Sequence, residues 1–297
     1  MHQEINIVND KYQIKASLKI PSNKESKVGI VLAHGGIINR QSLIRKKYSL
    51  GEYLCKELDA YVIAPDFLGE TVHKNGISYR NFSEILTVTT KYIADTYNLT
   101  NIMGFGHSLG CFVLADSLSE NEYLNTIVNY GGPIREFTGN KQSNFLSYLL
   151  NYLTSYDYSI NIKHLITRIF DKETCIYLQE VMLQDDCYHS ANYQFEFDSS
   201  TIRYCINILK KYLLSIKTWG KPTLLLFGTN DGVTKKTLQH YNNGLREENI
   251  QFKYITNASH VTPCMESKYQ LTKLKPAITF FTEHKLKYIS NSISYQQ

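Results

Sequence analysis

The sequence predicts an α/β protein built on a mostly parallel, twisted sheet with helices on both faces. Two observations indicate this class. Short, continuous apolar runs, typical of strands covered on both sides, alternate with segments of helical periodicity. Between residues 134 and 218 the strand pattern stops and only helical patterns follow one another. This stretch is too long for a connecting loop, so we expect an insertion within a single large domain.

The predicted elements follow one another in a regular order. Alternating polar and apolar residues over 3–20 predict an antiparallel hairpin at a sheet edge, turning at Asn9 and Asp10. Buried strands are predicted at 28–33, 60–66, 102–105, 125–130, 222–227 and 252–255. Helices are predicted at 43–58, 82–97, 109–119, 234–247 and 267–286, and within the insertion at 145–153, 160–170, 174–183 and 202–216. The polar tail 287–297 is expected to be loose.

The composition argues against several classes of protein. Of the 297 residues 43% are hydrophobic and 20% are charged, as in soluble globular proteins. The net charge of +5 comes from scattered basic residues, which favours solvated helix faces over a nucleic-acid surface. Neither a signal peptide nor a membrane span is predicted, so we expect a cytoplasmic protein. The six cysteines are widely spaced and lack a C-x-x-C pair, which argues against zinc and against a disulfide framework.

One serine lies between two glycines at the junction of a predicted strand and helix. The stretch Gly106-His107-Ser108-Leu109-Gly110 fits the G-x-S-x-G pattern of a nucleophile elbow. The small residues Gly106 and Gly110 let strand and helix approach each other while the turn exposes the Ser108 hydroxyl. That hydroxyl then lies at a helix N-terminus, where backbone N–H groups favour nearby negative charge. The pattern predicts a nucleophile at Ser108; the alternative is a glycine-rich loop before a helix.

A serine nucleophile requires a base, and the base requires a group that orients it. An elbow of this kind predicts the chain order Ser, then Asp or Glu, then His. Asp231 directly follows one predicted strand, and His260 directly follows the next. Because parallel strands end at the same edge of a sheet, we expect His260 to take the Ser108 proton and Asp231 to orient His260. Each residue alone is also compatible with an ordinary loop position.

A tetrahedral intermediate also needs two backbone donors directed at its oxyanion. The Leu109 N–H, directly after the proposed nucleophile, is the first. The second is expected from the loop after strand 28–33, which begins with His34 and two glycines. We expect the Gly36 N–H to be this second donor, with the Ile37 N–H as the alternative. His34 is expected to stabilise the loop by hydrogen bonds.

These motifs resemble those of the α/β-hydrolase superfamily over residues 28–133 and 219–286. The matching residues are His34-Gly35-Gly36, Ala64-Pro65-Asp66 with Gly69, Gly106-His107-Ser108-Leu109-Gly110, Gly228 with Asp231, and His260. The resemblance implies a hydrolase core over 1–133 and 219–297, a helical cap over the active site at 134–218, and a structural role for Asp66. The chain departs from the family pattern after Asp66, where the usual second glycine and serine are absent. Cys111, where proline iminopeptidases have another glycine, counts against that subgroup.

The expected function is a serine hydrolase that cleaves a carboxylic ester or thioester through an acyl-enzyme on Ser108. We expect a small-molecule acyl substrate and neither a metal nor an organic cofactor. Two alternatives stay open: an acyl-thioesterase or acyltransferase with the same triad, and a non-catalytic binding member of the fold. Aromatic residues are frequent in the predicted cap, whose underside suits an acyl chain or aromatic acid. Acyl-chain length and oligomeric state are open at this point.

Overall fold

A mostly parallel sheet with helices on both faces forms the centre of the protein, as the sequence predicts. The computed structural model describes residues 1–36, 38–45, 48–67, 72–73, 82–132, 159–161, 172, 174–176, 196–232, 234, 248–265 and 267–294. Within these ranges the nine strands of the main sheet are β1 (His2–Val8), β2 (Tyr12–Lys19), β3 (Val28–Ala33), β4 (Tyr61–Pro65), β5 (Val72–His73), β6 (Asn101–His107), β7 (Leu124–Tyr130), β10 (Thr223–Gly228) and β11 (Ile250–Ile255). A separate antiparallel pair contains β8 (Ser159–Asn161) and β9 (Glu196–Asp198).

The order of the strands places the elbow near the middle of the sheet. The order is β1-β2-β4-β3-β6-β7-β10-β11, and the short β5 pairs with β2. Neighbouring strands from β4 to β11 are parallel. β1 and β2 form the predicted antiparallel hairpin, and β2 is antiparallel to β4. The strand that precedes Ser108 therefore lies between β3 and β7, and the strands that precede Asp231 and His260 lie beyond β7.

Each face of the sheet has its own apolar core. On β3, Val31 and Ala33 belong to the first core, whereas Ile30 and Leu32 belong to the second. The helices over the first core are α2 (Phe82–Tyr97), α3 (Leu109–Ser117) and α4 (Ser199–Trp219), and those over the second are α1 (Leu50–Leu58), α5 (Lys268–Thr272) and α6 (Lys275–Ser294). Because both faces are covered, β3, β4 and β6 are buried at every position, which explains their continuous apolar runs.

The first helix is shorter than the predicted 43–58. It begins at Leu50 because Ser49 caps it: the Ser49 hydroxyl accepts the Glu52 N–H at 3.2 Å. The Glu52 carboxylate in turn accepts the Tyr48 N–H at 2.9 Å, in the manner of a capping box. A 3₁₀ turn at Arg40–Ser42 precedes this cap. The apolar periodicity before Leu50 therefore belongs to a buried loop rather than to the helix.

The C-terminal region differs from the prediction in two ways. The single helix expected at 267–286 is two helices, α5 and α6. Helix α6 continues to Ser294, so the expectation of a loose tail is wrong for residues 287–294. Those residues include neither glycine nor proline, so the backbone has no residue that breaks the helix.

Within residues 134–218 the structure corrects one predicted element and agrees with another. Residues 159–161 form a strand that pairs with 196–198, so the helix predicted at 160–170 is wrong at its start. Helix α4 covers the helix predicted at 202–216. The helix predicted at 145–153 lies outside the described residues, as do residues 162–170, 177–183 and 235–247 of three others.

Helix α4 packs on the core although it lies within the segment assigned to the cap. The Tyr212 ring meets Phe112 of α3 edge-on, with centroids 4.9 Å apart. The Tyr212 hydroxyl accepts from the Asn129 amide of β7 at 2.9 Å, and the Tyr204 hydroxyl donates to Asp116 at 3.2 Å. Helix α4 thus belongs to the helical layer on the sheet, and the division of core from cap at residue 218 stays a prediction.

A buried network of charges ties the N-terminal hairpin to the end of β4. The Arg40 guanidinium donates to the Asp66 carboxylate, and also to Glu4 Oε2 at 2.9 Å and Ser17 Oγ at 3.1 Å. The Arg40 N–H donates to Asp66 Oδ1 at 3.3 Å. Arg40 and Asp66 are 4% and 1% exposed. These contacts agree with the structural role that the resemblance implies for Asp66.

Arg40→Met removes the buried cation and leaves the Asp66 carboxylate inside the protein without it. We expect a loss of about 3–5 kcal/mol in the free energy of unfolding, measured by urea denaturation. Lys56→Met is the matched control, because it deletes a surface cation that pairs with Glu52 and is 71% exposed. We expect the control to change stability little, since exposed ion pairs contribute little. Equal losses in the two variants would contradict a structural role for the buried network.

Candidate active site

Ser108 lies in a strained turn between β6 and α3. Its backbone has φ 52° and ψ −118°, a combination that residues other than glycine rarely adopt. The Ser108 N–H donates to the Tyr130 carbonyl of β7 at 3.0 Å, and the Cys111 N–H donates to the Ser108 carbonyl at 3.0 Å. The sharp turn leaves the Ser108 side chain partly exposed at the N-terminus of α3. This is the local geometry that the G-x-S-x-G pattern predicts.

The two glycines of the elbow allow backbone contacts that a side chain would block. A Cβ on Gly110 would lie 2.0 Å from the Ala33 carbonyl oxygen of β3. A Cβ on Gly106 would lie 2.7 Å from the Asn129 Oδ1 and 2.7 Å from the Cys111 Cα. Real Cβ atoms do not approach other atoms this closely, so both positions require glycine.

The structure brings Ser108, His260 and Asp231 together at one edge of the sheet. The Ser108 Oγ is 2.9 Å from His260 Nε2, and His260 Nδ1 is 3.0 Å from Asp231 Oδ2. A carboxylate only accepts hydrogen bonds, so His260 carries its proton on Nδ1 and Nε2 is left to accept from the serine hydroxyl. Asp231 is fully buried and His260 is 3% exposed. The Thr234 N–H donates to the other carboxylate oxygen of Asp231 at 3.2 Å.

The loops that bear Asp231 and His260 are fixed to each other. Gly228 and Ile255 are paired at the ends of β10 and β11. The Asn230 N–H then donates to the Ala258 carbonyl at 3.0 Å. A Cβ on Gly228 would lie 2.1 Å from that same carbonyl oxygen, so glycine is required where the two loops cross. The acid and the base therefore approach each other through adjacent backbone rather than through long side chains.

The loop after β3 approaches the elbow where an oxyanion site is expected. A Cβ on Gly36 would lie 2.9 Å from Leu109 Cδ2, which places the two predicted donor residues side by side. His34 Nδ1 donates to the Gly35 carbonyl at 2.8 Å, while His34 Nε2 accepts the Phe67 N–H at 3.2 Å. In a trans peptide the C=O and N–H point in opposite directions, so this bond to Gly35 also orients the Gly36 N–H. Ile37, the alternative donor, lies outside the described residues.

Three residues without a predicted role lie against the proposed triad. His107 donates from Nε2 to the His260 carbonyl at 2.8 Å, and the Tyr130 hydroxyl donates to the Ser259 carbonyl at 2.7 Å. Gly131 has φ 67°, and a Cβ there would lie 3.0 Å from His260 Nδ1. The sequence does contain a signal for them, because His107 ends β6, Tyr130 ends β7 and Gly131 directly follows it, at the edge where the site is expected.

Burial keeps His107 neutral. Removal from water, together with repulsion from His260, lowers the pKa of His107 from 6.5 to about 3. Its Nδ1 is 3.6 Å from the Cys264 sulfur, so both ring nitrogens have partners. Burial also raises the pKa of the neighbouring Cys111 thiol, whose sulfur contacts the Gly106 and Tyr130 carbonyls at 3.3 Å. A thiol in this environment is a packing group rather than a nucleophile.

No group of three or more His, Cys, Asp or Glu side chains among the described residues is arranged to hold a metal ion. Among the helices with described residues, none is both long enough and apolar enough to cross a membrane.

Similarity to known proteins is found at the level of structure and not of sequence. No protein-family model matches this sequence, and no curated protein matches it significantly. Solved structures do match. A soluble variant of monoglyceride lipase from Saccharomyces cerevisiae superposes with a TM-score of 0.69 and 12% identity, over 96% of this chain and 97% of that chain. An α/β hydrolase from Penicillium has a TM-score of 0.62, 11% identity and coverage of 96% and 99%.

An esterase from Thermogutta terrifontis superposes with a TM-score of 0.60 and 15% identity, over 93% of this chain and 98% of that chain. This chain has the α/β-hydrolase fold. In this α/β-hydrolase fold the residues that follow β6, β10 and β11 meet at the carboxyl ends of the strands, where open α/β sheets place their sites.

Gly110→Ala places a Cβ against the backbone of β3, which has no room to move. We expect it to lower the free energy of unfolding by more than about 4 kcal/mol in urea denaturation, or to prevent folding. Gly36→Ala is the matched control, because the three atoms nearest its Cβ belong to the Leu109 side chain, with Cδ2 at 2.9 Å and Cβ at 3.3 Å, and none belongs to a strand backbone. We expect the control to lose less than about 1.5 kcal/mol. A similar loss in both variants would show that the approach of α3 to β3 is not the limiting contact.

Because His107 is buried in its neutral form, we expect the free energy of unfolding to depend on pH. Its pKa in the folded protein, about 3, is lower than the 6.5 of the unfolded chain, so its contribution is complete above pH 6.5 and is lost as the pH falls toward 3. We expect this group to reduce the free energy of unfolding by at most about 1.4 kcal/mol per pH unit over that window. Urea denaturation from pH 7.5 to pH 4 should give a shallower slope for His107→Gln. Parallel curves for the two proteins would contradict a buried neutral histidine.

Proposed function

We propose that this protein is a serine hydrolase that cleaves a carboxylic ester or thioester of a small molecule through an acyl-enzyme on Ser108. The observation that carries the proposal is the continuous chain of hydrogen bonds from Asp231 through His260 to the Ser108 hydroxyl. It ends at a serine in a strained turn, a conformation that persists only where the surrounding structure imposes it.

In the proposed mechanism His260 Nε2 takes the proton of Ser108 while Oγ attacks the acyl carbon. The carbonyl oxygen becomes an oxyanion that the N–H groups of Leu109 and Gly36 stabilise, and Asp231 stabilises the imidazolium. His260 then gives its proton to the departing alcohol or thiol, and the acyl group stays on Ser108. His260 then takes a proton from a water molecule whose oxygen attacks the acyl carbon, and it returns that proton to Ser108 Oγ as the acid product leaves.

Three further observations support the proposal. The proteins of similar structure include a monoglyceride lipase and an esterase. The predicted cap leaves the core directly after Gly131 and Gly132, next to His260, so we propose that residues 134–218 cover the site. Cys55, Cys111, Cys175 and Cys264 are reduced cysteines outside any disulfide, and they suit the reducing cytoplasm that we propose as the compartment of this protein.

Ser108→Ala should abolish reaction with a fluorophosphonate probe, measured as the mass of one adduct on the intact protein. Ester turnover should fall by roughly 10⁴- to 10⁶-fold, because the nucleophile is lost while the fold is kept. Ser117→Ala is the matched control. It removes a buried serine hydroxyl of α3, which donates to the Leu114 carbonyl of the same helix at 2.8 Å, and we expect normal labelling. In the same assay Asp231→Asn should slow turnover severely, since the amide favours the wrong His260 tautomer.

Labelling of Ser108→Ala, or its near-normal turnover, would rule out Ser108 as the nucleophile. If the folded wild type gains no adduct and cleaves no substrate, the protein is a binding member of the fold. A panel of short and long acyl esters and acyl-coenzyme A thioesters, each with and without an acceptor alcohol, separates an esterase from a thioesterase or an acyltransferase.

A further inference from the structure

We propose that His107 and Tyr130 are positioning residues that hold the backbones of Ser108 and His260 together, and we call this pair the clamp. The inference rests on the proposed function, because it assigns a role relative to the proposed nucleophile and base. Neither residue contacts a substrate in this role. Both act through the main chain.

The clamp holds the loop of the base at two consecutive carbonyls. The His107 Nε2–H donates to the His260 carbonyl at 2.8 Å, and the Tyr130 O–H donates to the Ser259 carbonyl at 2.7 Å. His107 is 2% exposed and Tyr130 is fully buried. Since water does not compete for these carbonyls, the two bonds fix the position of the backbone that carries the His260 ring.

The same two residues also hold the nucleophile. His107 is joined to Ser108 by the peptide bond, and the Tyr130 carbonyl accepts the Ser108 N–H at 3.0 Å. His107 and Tyr130 are paired across β6 and β7, and their ring centroids lie 6.2 Å apart. One pair of neighbouring residues therefore contacts both ends of the 2.9 Å hydrogen bond between Ser108 Oγ and His260 Nε2.

Three further hydrogen bonds of the His260 loop stay within the loop or join it to the loop of Asp231. Ser259 and Thr262 bond each other within the loop, with the Ser259 N–H 2.9 Å from Thr262 Oγ1. The Ala258 carbonyl and the Asn257 N–H connect the loop to the residues just before Asp231. The clamp thus joins the backbone of the base to the strands that carry the nucleophile, whereas these bonds join it to the residues before Asp231.

His107 is suited to positioning and not to proton transfer. A carbonyl only accepts, so His107 carries its proton on Nε2, and Nδ1 faces the Cys264 thiol. Neither nitrogen is available to Ser108. A glutamine at this position places an amide N–H near the location of Nε2, so His107→Gln should keep the donor, whereas His107→Leu removes it.

The test compares kcat and KM for one ester, and the rate of fluorophosphonate labelling, in four variants and the wild type. We expect His107→Leu to lower kcat and the labelling rate by about 10²-fold with KM changed little, because small displacements of reacting groups cost about this much. His107→Gln should recover to within about tenfold of the wild type, and Tyr130→Phe should lose about tenfold. Tyr12→Phe is the matched control. It removes the hydroxyl of a tyrosine that is 1% exposed and that donates to Glu84 of α2, outside the proposed site, so this variant should react normally.

Each other outcome decides against the clamp in a distinguishable way. If the wild type is labelled and His107→Leu and Tyr130→Phe are labelled equally fast, the clamp is wrong and the proposed function stands. If His107→Gln is as slow as His107→Leu, the ring itself is needed and donation to the His260 carbonyl is not the role. If His107→Leu does not fold, Tyr130→Phe decides alone. A wild type that neither gains an adduct nor cleaves an ester overturns the proposed function, and the clamp with it.

Discussion

The close approach of α3 to β3 at Gly110 is the constraint on which the site depends. A Cβ at Gly110 would lie 2.0 Å from the Ala33 carbonyl oxygen, so only glycine lets the first turn of α3 pack this closely against β3. The approach forces the chain through a sharp turn at Ser108. It also brings Leu109 beside Gly36 in the loop that follows β3. One backbone contact therefore positions the proposed nucleophile and both of its proposed oxyanion donors.

Three buried histidines surround this turn, and their partners give them different roles. His34 and His107 donate to main-chain carbonyls, whereas His260 donates to the Asp231 carboxylate. A carboxylate stabilises a protonated ring far more than a neutral carbonyl does. Only His260 also directs its second nitrogen at Ser108. His34 Nε2 also lies 3.4 Å from Asp66 Oδ1, but its ring donates to a carbonyl. Donation to an acid together with a nitrogen directed at Ser108, rather than burial, distinguishes the proposed base from the other two histidines.

The sequence predicted the features that local patterns encode. The helix at 82–97 and the strand at 28–33 were predicted with correct bounds, because an amphipathic period and a continuous apolar run follow directly from burial. The start of α1 was missed because a serine cap outweighs apolar spacing, and β8 was missed because three residues become a strand only by pairing. The contacts of His107 and Tyr130 join carbonyls more than a hundred residues away, so they depend on register that no local pattern contains.

The strained backbone of Ser108 has to be held by neighbouring residues, and one of them, Tyr130, also holds the His260 loop. A backbone conformation of this kind costs roughly 1–3 kcal/mol and persists only if its surroundings hold it. Tyr130 supplies part of that support through its carbonyl and holds the His260 loop through its hydroxyl. Among the described residues, the groups that bond the Ser108 backbone belong to β7 and α3. The 2.9 Å and 3.0 Å distances that join Ser108 to His260 and His260 to Asp231 therefore depend on backbone contacts within the core.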